Sequence, residues 1–237
     1  MSPEHLILRD LIQPQPPVVM RPTSFFVAWY GVLALVYEGF PPPLMRIKQG
    51  LEERLPNLVR ENPGSTWPKT TLGALNDEVK LTLTDLEVVE RICRRWSGRL
   101  LEEPITVSHL SAVLFECRSL ERRTATHRFR LAGPPDAHSA TVAVQHRAYV
   151  RGILSYCTAP SLASYLPDVQ RPGHRISHYR ADHREATLIH DLDTRNPAHI
   201  QGFIADIDEA LPGYYAWFDP SCRHITLRTL GRTDRFR

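Results

Sequence analysis

The C-terminal stretch from Arg223 to Leu230 combines three side chains that suit phosphate chemistry. If the stretch is a β-strand, alternate residues share a face, so His224, Thr226 and Arg228 project together. An imidazole transfers protons near neutral pH, a hydroxyl donates to an oxyanion and a guanidinium neutralises one. The spacing therefore predicts a site for an anion whose bonds are made or broken. The polar face of an ordinary strand is the alternative, because His-x-Ser/Thr also occurs at 109–111.

Two stretches of the chain share an apolar pattern of helical spacing that ends in Leu-Pro. The matching positions are Leu44, Ile47, Leu51, Leu55 and Pro56 in the first stretch and Ile200, Phe203, Ile207, Leu211 and Pro212 in the second. We therefore predict helices at 44–55 and 199–211. Strand-like stretches flank each helix, at 32–37 and 69–72 in the first case and at 187–192 and 224–227 in the second. The pattern predicts a strand-helix-strand unit that is used twice.

This arrangement resembles the two-histidine phosphoesterases, the superfamily of RNA ligase-like and cyclic nucleotide phosphodiesterases, whose two lobes each place a His-x-Thr/Ser strand in a shared cleft. The second motif is intact as His224-Ile225-Thr226-Leu227, whereas the first is Lys69-Thr70-Thr71-Leu72, with lysine where the family has histidine. The resemblance spans roughly residues 29 to 230. It implies catalytic roles for His224 and Lys69 and phosphate contacts from Thr226 and Thr71. Arg228 joins the substrate-binding set from its place on the strand.

The resemblance implies a metal-independent, phosphodiesterase-like hydrolase that needs no cofactor. Its substrate would be a cyclic nucleotide or an RNA-end phosphodiester, with His224 as general acid or base. Lys69 leaves other functions open, because the reference lysine pKa near 10.4 makes it a phosphate clamp and a poor base. Burial or a neighbouring cation would lower that pKa. The alternatives are a lyase or isomerase reaction on a small molecule, and phosphate or nucleotide binding without catalysis.

His109 offers a second assignment of the first motif. If His109-Leu110-Ser111 were the partner of the His224 motif, both histidines of the family would be present. We favour Lys69 because its upstream strand, helix and Leu-Pro end all align with the second unit. His109 lacks the proline and a good upstream strand.

The composition is typical of a folded protein, and the net charge is small. Its 237 residues are 42% hydrophobic and 23% charged, and the net charge is +3, which does not by itself predict a nucleic-acid binder. The four cysteines form no Cys-x-x-Cys, so we expect reduced thiols and an intracellular, cytoplasmic protein, with organelle targeting left open. The apolar run at 24–40 contains Glu38 and is short for a membrane span, so we predict a core strand and no membrane association.

We predict an α+β fold of two lobes, with antiparallel or mixed sheets lining a central cleft and helices outside. The prolines near the start predict an extended arm over residues 1–22. The expected organisation is a single domain over 23–230, with a first lobe core at 29–131, an insertion at 132–180, a second lobe core at 181–230 and a tail at 231–237.

Three histidines, His174, His178 and His183, lie at the end of the insertion and just after it, beyond a predicted helix at 149–156. Their spacing fits metal ligands on a helix. Prolines break up this segment, however, and no cysteine or paired acid completes a ligand set, so we predict no metal site. The arginine-dense run at 118–130 fits either a solvated strand edge or an anion-attracting wall of the cleft.

Overall fold

The fold comes from a computed structural model that describes residues 2–55, 58–61, 63–100, 104–134, 141–192 and 198–231. Helices and antiparallel strands both occur in these ranges, so the predicted α+β class is confirmed. The helices are α1 (Pro3–Ile12), α2 (Pro42–Arg54), α3 (Leu83–Ser97), α4 (Val144–Leu154), α5 (Leu162–Val169), α6 (Ile176–Arg180) and α7 (Ala198–Ala210). The strands are β1 (Val18–Met20), β2 (Pro22–Val27), β3 (Leu33–Tyr37), β4 (Lys69–Leu75), β5 (Ile105–Val107), β6 (His109–Phe115), β7 (Arg123–Arg130), β8 (Glu185–Asp191), β9 (Tyr215–Trp217) and β10 (His224–Gly231). Apart from Gly231, the predicted tail lies outside the described residues.

Within the described ranges, two antiparallel four-stranded sheets run in the orders β2-β3-β4-β9 and β10-β8-β6-β7, and β1 pairs with β5 separately. The adjacent strands β2, β3 and β4 have a topological counterpart in β6, β8 and β10. In each set a helix, α2 or α7, connects the second strand to the third along the chain. Leu35, Leu110 and Ile225 belong to one apolar cluster that both sheets share. The strand-helix-strand unit therefore occurs twice around a common core, and the division into two lobes stays a prediction.

The helices α2 and α7 form where the apolar spacing predicts them. Their buried faces consist of Leu44, Ile47 and Leu51 in α2 and Ile200, Phe203 and Ile207 in α7. Although α2 follows β3, the Lys48 ammonium donates to the carbonyl of Leu227 in β10, at 3.0 Å. Although α7 follows β8, Phe203 stacks on Phe25 of β2 with 4.1 Å between ring centroids. Each helix thus contacts the sheet of the other unit.

The extended arm predicted for residues 1–22 is wrong over the length of α1. The Ser2 hydroxyl caps this helix by accepting from the His5 amide, and Pro3 stands at the first helical position, where its missing N–H is not needed. Leu8 and Ile12 are fully buried. The helix is therefore packed onto the domain, and the prolines that favoured an arm follow its end.

The insertion at 132–180 is more helical than predicted. The helix expected at 149–156 is α4, which starts earlier, and α5 and α6 occupy the segment that the prolines were expected to break. Pro167 lies inside α5, yet Leu162, Tyr165 and Val169 are buried at helical spacing. Burial of this apolar stripe outweighs the local cost of the proline.

The apolar run at 24–40 forms two strands, β2 and β3, where one was predicted. A 3-10 turn at Trp29–Gly31 joins them, with positive φ at Tyr30 (65°) and Gly31 (77°). No helix among the described residues combines the length and apolar character that crossing a bilayer requires.

The contact between α7 and β2 is tested by Phe203→Ala. This change removes a fully buried ring and its stack on Phe25, so the free energy of unfolding should fall by about 3–5 kcal/mol. Urea unfolding followed by tryptophan fluorescence measures the change, with Glu209→Ala on the exposed side of the same helix as control. A loss below about 1 kcal/mol, typical of lightly packed positions, would contradict the packing.

Candidate functional site

A cavity of about 550 Å³ is lined by residues of both β4 and β10, two strands that pack against each other. This volume is in the range of small-molecule sites and exceeds what a lone phosphate fills. Lys69 and Thr71 line the cavity from β4, and His224 and Thr226 line it from β10. The structure therefore brings four of the five predicted site residues together.

Strand alternation explains which side chains reach the cavity. Lys69 is the first residue of β4 and His224 is the first residue of β10, and both line the cavity. Thr70 and Leu72 of β4 are fully buried on the opposite face, as is Ile225 of β10 to 2% exposure. The buried residues anchor each strand in the core and turn the polar ones towards the ligand space.

Arg228 does not line the cavity, so the prediction that it shares a face with His224 is wrong. The pairing of β10 with β8 shifts between Thr226 and Arg228, which is a β-bulge, and the bulge interrupts the alternation. Thr229 lines the cavity instead. The buried guanidinium of Arg228 donates to the carbonyls of Thr229 (3.2 Å) and Val59 (2.7 Å), which gives it a structural role.

His109 lies outside the cavity lining. It begins β6, which is separated from β10 by β8 in the sheet. Its ring Nδ1 lies 2.9 Å from the Ser108 hydroxyl, and its carbonyl lies 3.1 Å from Nδ1 of His190. Lys69 and His224 therefore line one cavity, whereas His109 and His224 do not.

His224 is held with one ring nitrogen fixed. Its Nδ1 lies 2.7 Å from the carbonyl of Cys222. A carbonyl can only accept, so Nδ1 carries the proton and Nε2 keeps the lone pair. Burial lowers the pKa of His224 to about 4, although the bond to Cys222 opposes this. Nearby Arg123 and Lys69 lower the pKa further, and Asp191 raises it. At neutral pH the ring is an uncharged base.

The surroundings of Lys69 lower its pKa on balance. Burial lowers the pKa of Lys69 to about 8, the Lys48 ammonium lowers it further, and Glu61 raises it. The Lys69 ammonium donates to the carbonyl of Gly64 and lies 4.2 Å from the centroid of the Trp67 ring. Lys69 is therefore charged at pH 7 but close to releasing its proton.

Backbone strain is concentrated around the cavity. Three non-glycine residues in the described ranges have positive φ, namely Tyr30 (65°), Leu120 (60°) and His174 (50°). All three line the cavity. Such conformations cost on the order of 1–3 kcal/mol each and cluster at functional sites. No sequence pattern marks these residues, because tertiary contacts decide a positive φ outside glycine.

Among the arginines of the dense run at 118–130, Arg118 lines the cavity. Arg122 and Arg123 instead form ion pairs with Asp182 (2.8 Å) and Asp191 (2.7 Å). Arg122 and Arg123 are therefore paired with carboxylates, whereas an anion-attracting role for Arg118 stays a prediction.

The described ranges contain no group of three or more His, Cys, Asp or Glu side chains arranged to hold a metal ion. His183, the last of the three histidines considered as metal ligands, pairs with Glu185 at 2.9 Å. Cys222 lines the cavity, but burial raises the pKa of its thiol to about 12, so it is a poor nucleophile at neutral pH.

The lowered pKa of Lys69 can be measured directly, because the chain has three lysines, Lys48, Lys69 and Lys80. Reductive ¹³C-methylation followed by NMR titration should show a Lys69 signal with a midpoint near pH 8. Single Lys→Arg variants assign the signals. A Lys69 midpoint near the reference value of about 10.4 would contradict the enclosed environment described above.

Comparisons with known proteins add no functional precedent. No family model, curated protein or solved structure matches the chain. The functional argument therefore rests on the residues that line the cavity.

Proposed function

We propose that the protein is a phosphodiesterase of the two-histidine type, with Lys69 in place of the first histidine. It would hydrolyse a cyclic nucleotide or an RNA-end phosphodiester. The observation that carries the proposal is that Lys69 and His224 begin equivalent strands, each followed two residues later by a threonine, and that all four line one cavity. This pairing of motifs is the one that the resemblance implies, with lysine in place of the first histidine.

The two basic side chains have opposite protonation states at pH 7, as hydrolysis requires. With a pKa of about 4, His224 is unprotonated and can accept a proton from the attacking water. With a pKa of about 8, Lys69 is protonated and can donate to the alkoxide leaving group. Pairs of groups whose surroundings separate their pKa values are typical of acid and base partners. The proposed roles are therefore general base for His224 and general acid for Lys69.

Thr71 and Thr226 supply the contacts for the nonbridging phosphate oxygens. Both line the cavity, and neither hydroxyl has a hydrogen-bond partner within the described part of the chain. Each can donate to an oxyanion without losing an existing bond. With the Lys69 ammonium, they would stabilise the charge on the pentacoordinate phosphorus by fixed dipoles and a cation.

A second candidate is a lyase or isomerase reaction, favoured by the same amine. An amine with a pKa near 8 is partly neutral under physiological conditions and can abstract a proton or attack a carbonyl. Screening the parent protein against 2′,3′-cyclic nucleotides and against nonphosphorylated carbonyl compounds separates these two functions.

His224→Ala should lower kcat for a 2′,3′-cyclic nucleotide by about 100- to 10,000-fold, because it removes the general base. The affinity for inorganic phosphate should change only a few-fold. His109→Ala is the matched control, since His109 has the same motif but lies outside the cavity. Equal activity losses in the two variants, or none in His224→Ala, would count against the proposed roles.

Lys69→Arg separates charge from proton transfer. Arginine keeps the positive charge but cannot donate a proton, because its pKa exceeds 12. The parent kcat/KM should rise with pH through about 4, as His224 loses its proton, and fall through about 8, as Lys69 loses its own. Lys69→Arg should lose about 100- to 10,000-fold in kcat and also lose the alkaline fall. An unchanged kcat and pH profile would make Lys69 a clamp without a role in proton transfer.

A further inference from the structure

The cavity has a second group of basic side chains, built from Arg118, His174 and His178. The rings of His174 and His178 are 4.4 Å apart between centroids. Arg118 lies close enough to lower the pKa of both, after burial, which is the largest cause. Lys69 and His183 also face this group, and both disfavour its charge. Both imidazoles are therefore held uncharged at neutral pH, and Arg118 is the cation of the group.

The second group lacks a carboxylate to balance it. Arg118 forms no ion pair with any residue in the described ranges. Glu185 is the one acidic residue among the described residues lining the cavity, and it pairs with His183. An arginine without a carboxylate partner is stabilised when an anion binds beside it, and the anion also favours proton uptake by the neighbouring imidazoles. The arrangement is thus suited to a ligand that supplies negative charge.

Independent support comes from the backbone that carries His174. Its φ of 50° is strained for a histidine, and its ring stacks on Tyr30, itself at φ 65°, with 4.3 Å between centroids. The next residue, Arg175, is buried and donates to the Tyr30 carbonyl. Two strained residues are thus locked together at the cavity wall. The fold gives up stability to present these rings beside Arg118.

We propose that Tyr30, Arg118, His174 and His178 form a second anion-binding subsite, which takes a phosphate group separate from the reacting phosphodiester. Because both groups line one cavity of about 550 Å³, a ligand of nucleotide size can contact both of them. The ligand class is therefore a nucleotide that carries two separate phosphate groups. This assignment rests on the proposed function, which places the reacting phosphodiester at His224.

The test compares two nonhydrolysable probes, adenosine 3′,5′-bisphosphate and adenosine 3′-monophosphate, by isothermal titration calorimetry at pH 7. The parent should bind the bisphosphate about 10-fold or more tightly than the monophosphate, as expected for one added charge-assisted contact. Arg118→Gln should bring the ratio of the two affinities close to one. Arg122→Gln is the matched control, because Arg122 is a nearby exposed arginine paired with Asp182. It should keep the parent ratio.

His174→Asn tests the subsite by a second measurement, the proton uptake on binding, which a purely structural role of His174 would not affect. Asparagine tolerates positive φ, so the backbone is kept while the imidazole is removed. In the parent, binding of the bisphosphate at pH 6 should take up protons, seen as a dependence of the apparent enthalpy on buffer ionisation. His174→Asn should reduce this uptake. Equal proton uptake in parent and variant would contradict the participation of His174.

The outcomes for the subsite and for the proposed function can be told apart. His224→Ala should retain the preference for the bisphosphate, because His224 is not part of the subsite. If no cyclic nucleotide is hydrolysed but Arg118→Gln still abolishes the preference, the subsite stands and the hydrolase proposal fails. If Arg118→Gln and Arg122→Gln both keep the parent ratio, or the parent shows no preference, the subsite is overturned whatever the hydrolysis assays show.

Discussion

Two basic side chains share one partly desolvated cavity, and this is the constraint on which the site depends. Lys69 and His224 cannot both carry a charge there at low cost, because burial penalises each charge and the Lys69 ammonium disfavours the imidazolium. The free energy is lowest when one group is protonated and the other is not. At neutral pH, two groups of the same charge type therefore have different protonation states.

Lys48 connects this electrostatic arrangement to the fold. Its ammonium is buried with 6% exposure, pairs with Glu61 and donates to the carbonyls of Ser65 and Leu227. A buried ammonium is tolerated only with such partners. The same charge lowers the pKa of Lys69. The lowered pKa of Lys69 and the attachment of α2 to β10 therefore both depend on the Lys48 side chain.

The alternation of side chains along a single strand was enough to predict that His224 and Thr226 lie on one face. His224 and Thr226 share a face because successive strand residues alternate, and that rule needs no knowledge of the neighbouring strand. The prediction for Arg228 was wrong because a bulge in the pairing of β10 with β8 interrupts the alternation before this residue. The positive φ of His174 was not predicted, because contacts from distant parts of the chain, such as the stack on Tyr30, hold this conformation. The spacing of residues within one strand also cannot show that β4 and β10 line the same cavity.

The exchange of helices between the two units has a consequence for the order in which the chain can fold. Lys48 of α2 binds a carbonyl in β10 near the other end of the chain, and Phe203 of α7 stacks on β2 near its beginning. Neither unit can complete its own helix packing before the other strands exist. Contacts of such long sequence separation slow folding, because a large loop must close first. During synthesis the first unit would therefore wait, with its apolar surface incompletely covered, until β10 leaves the ribosome.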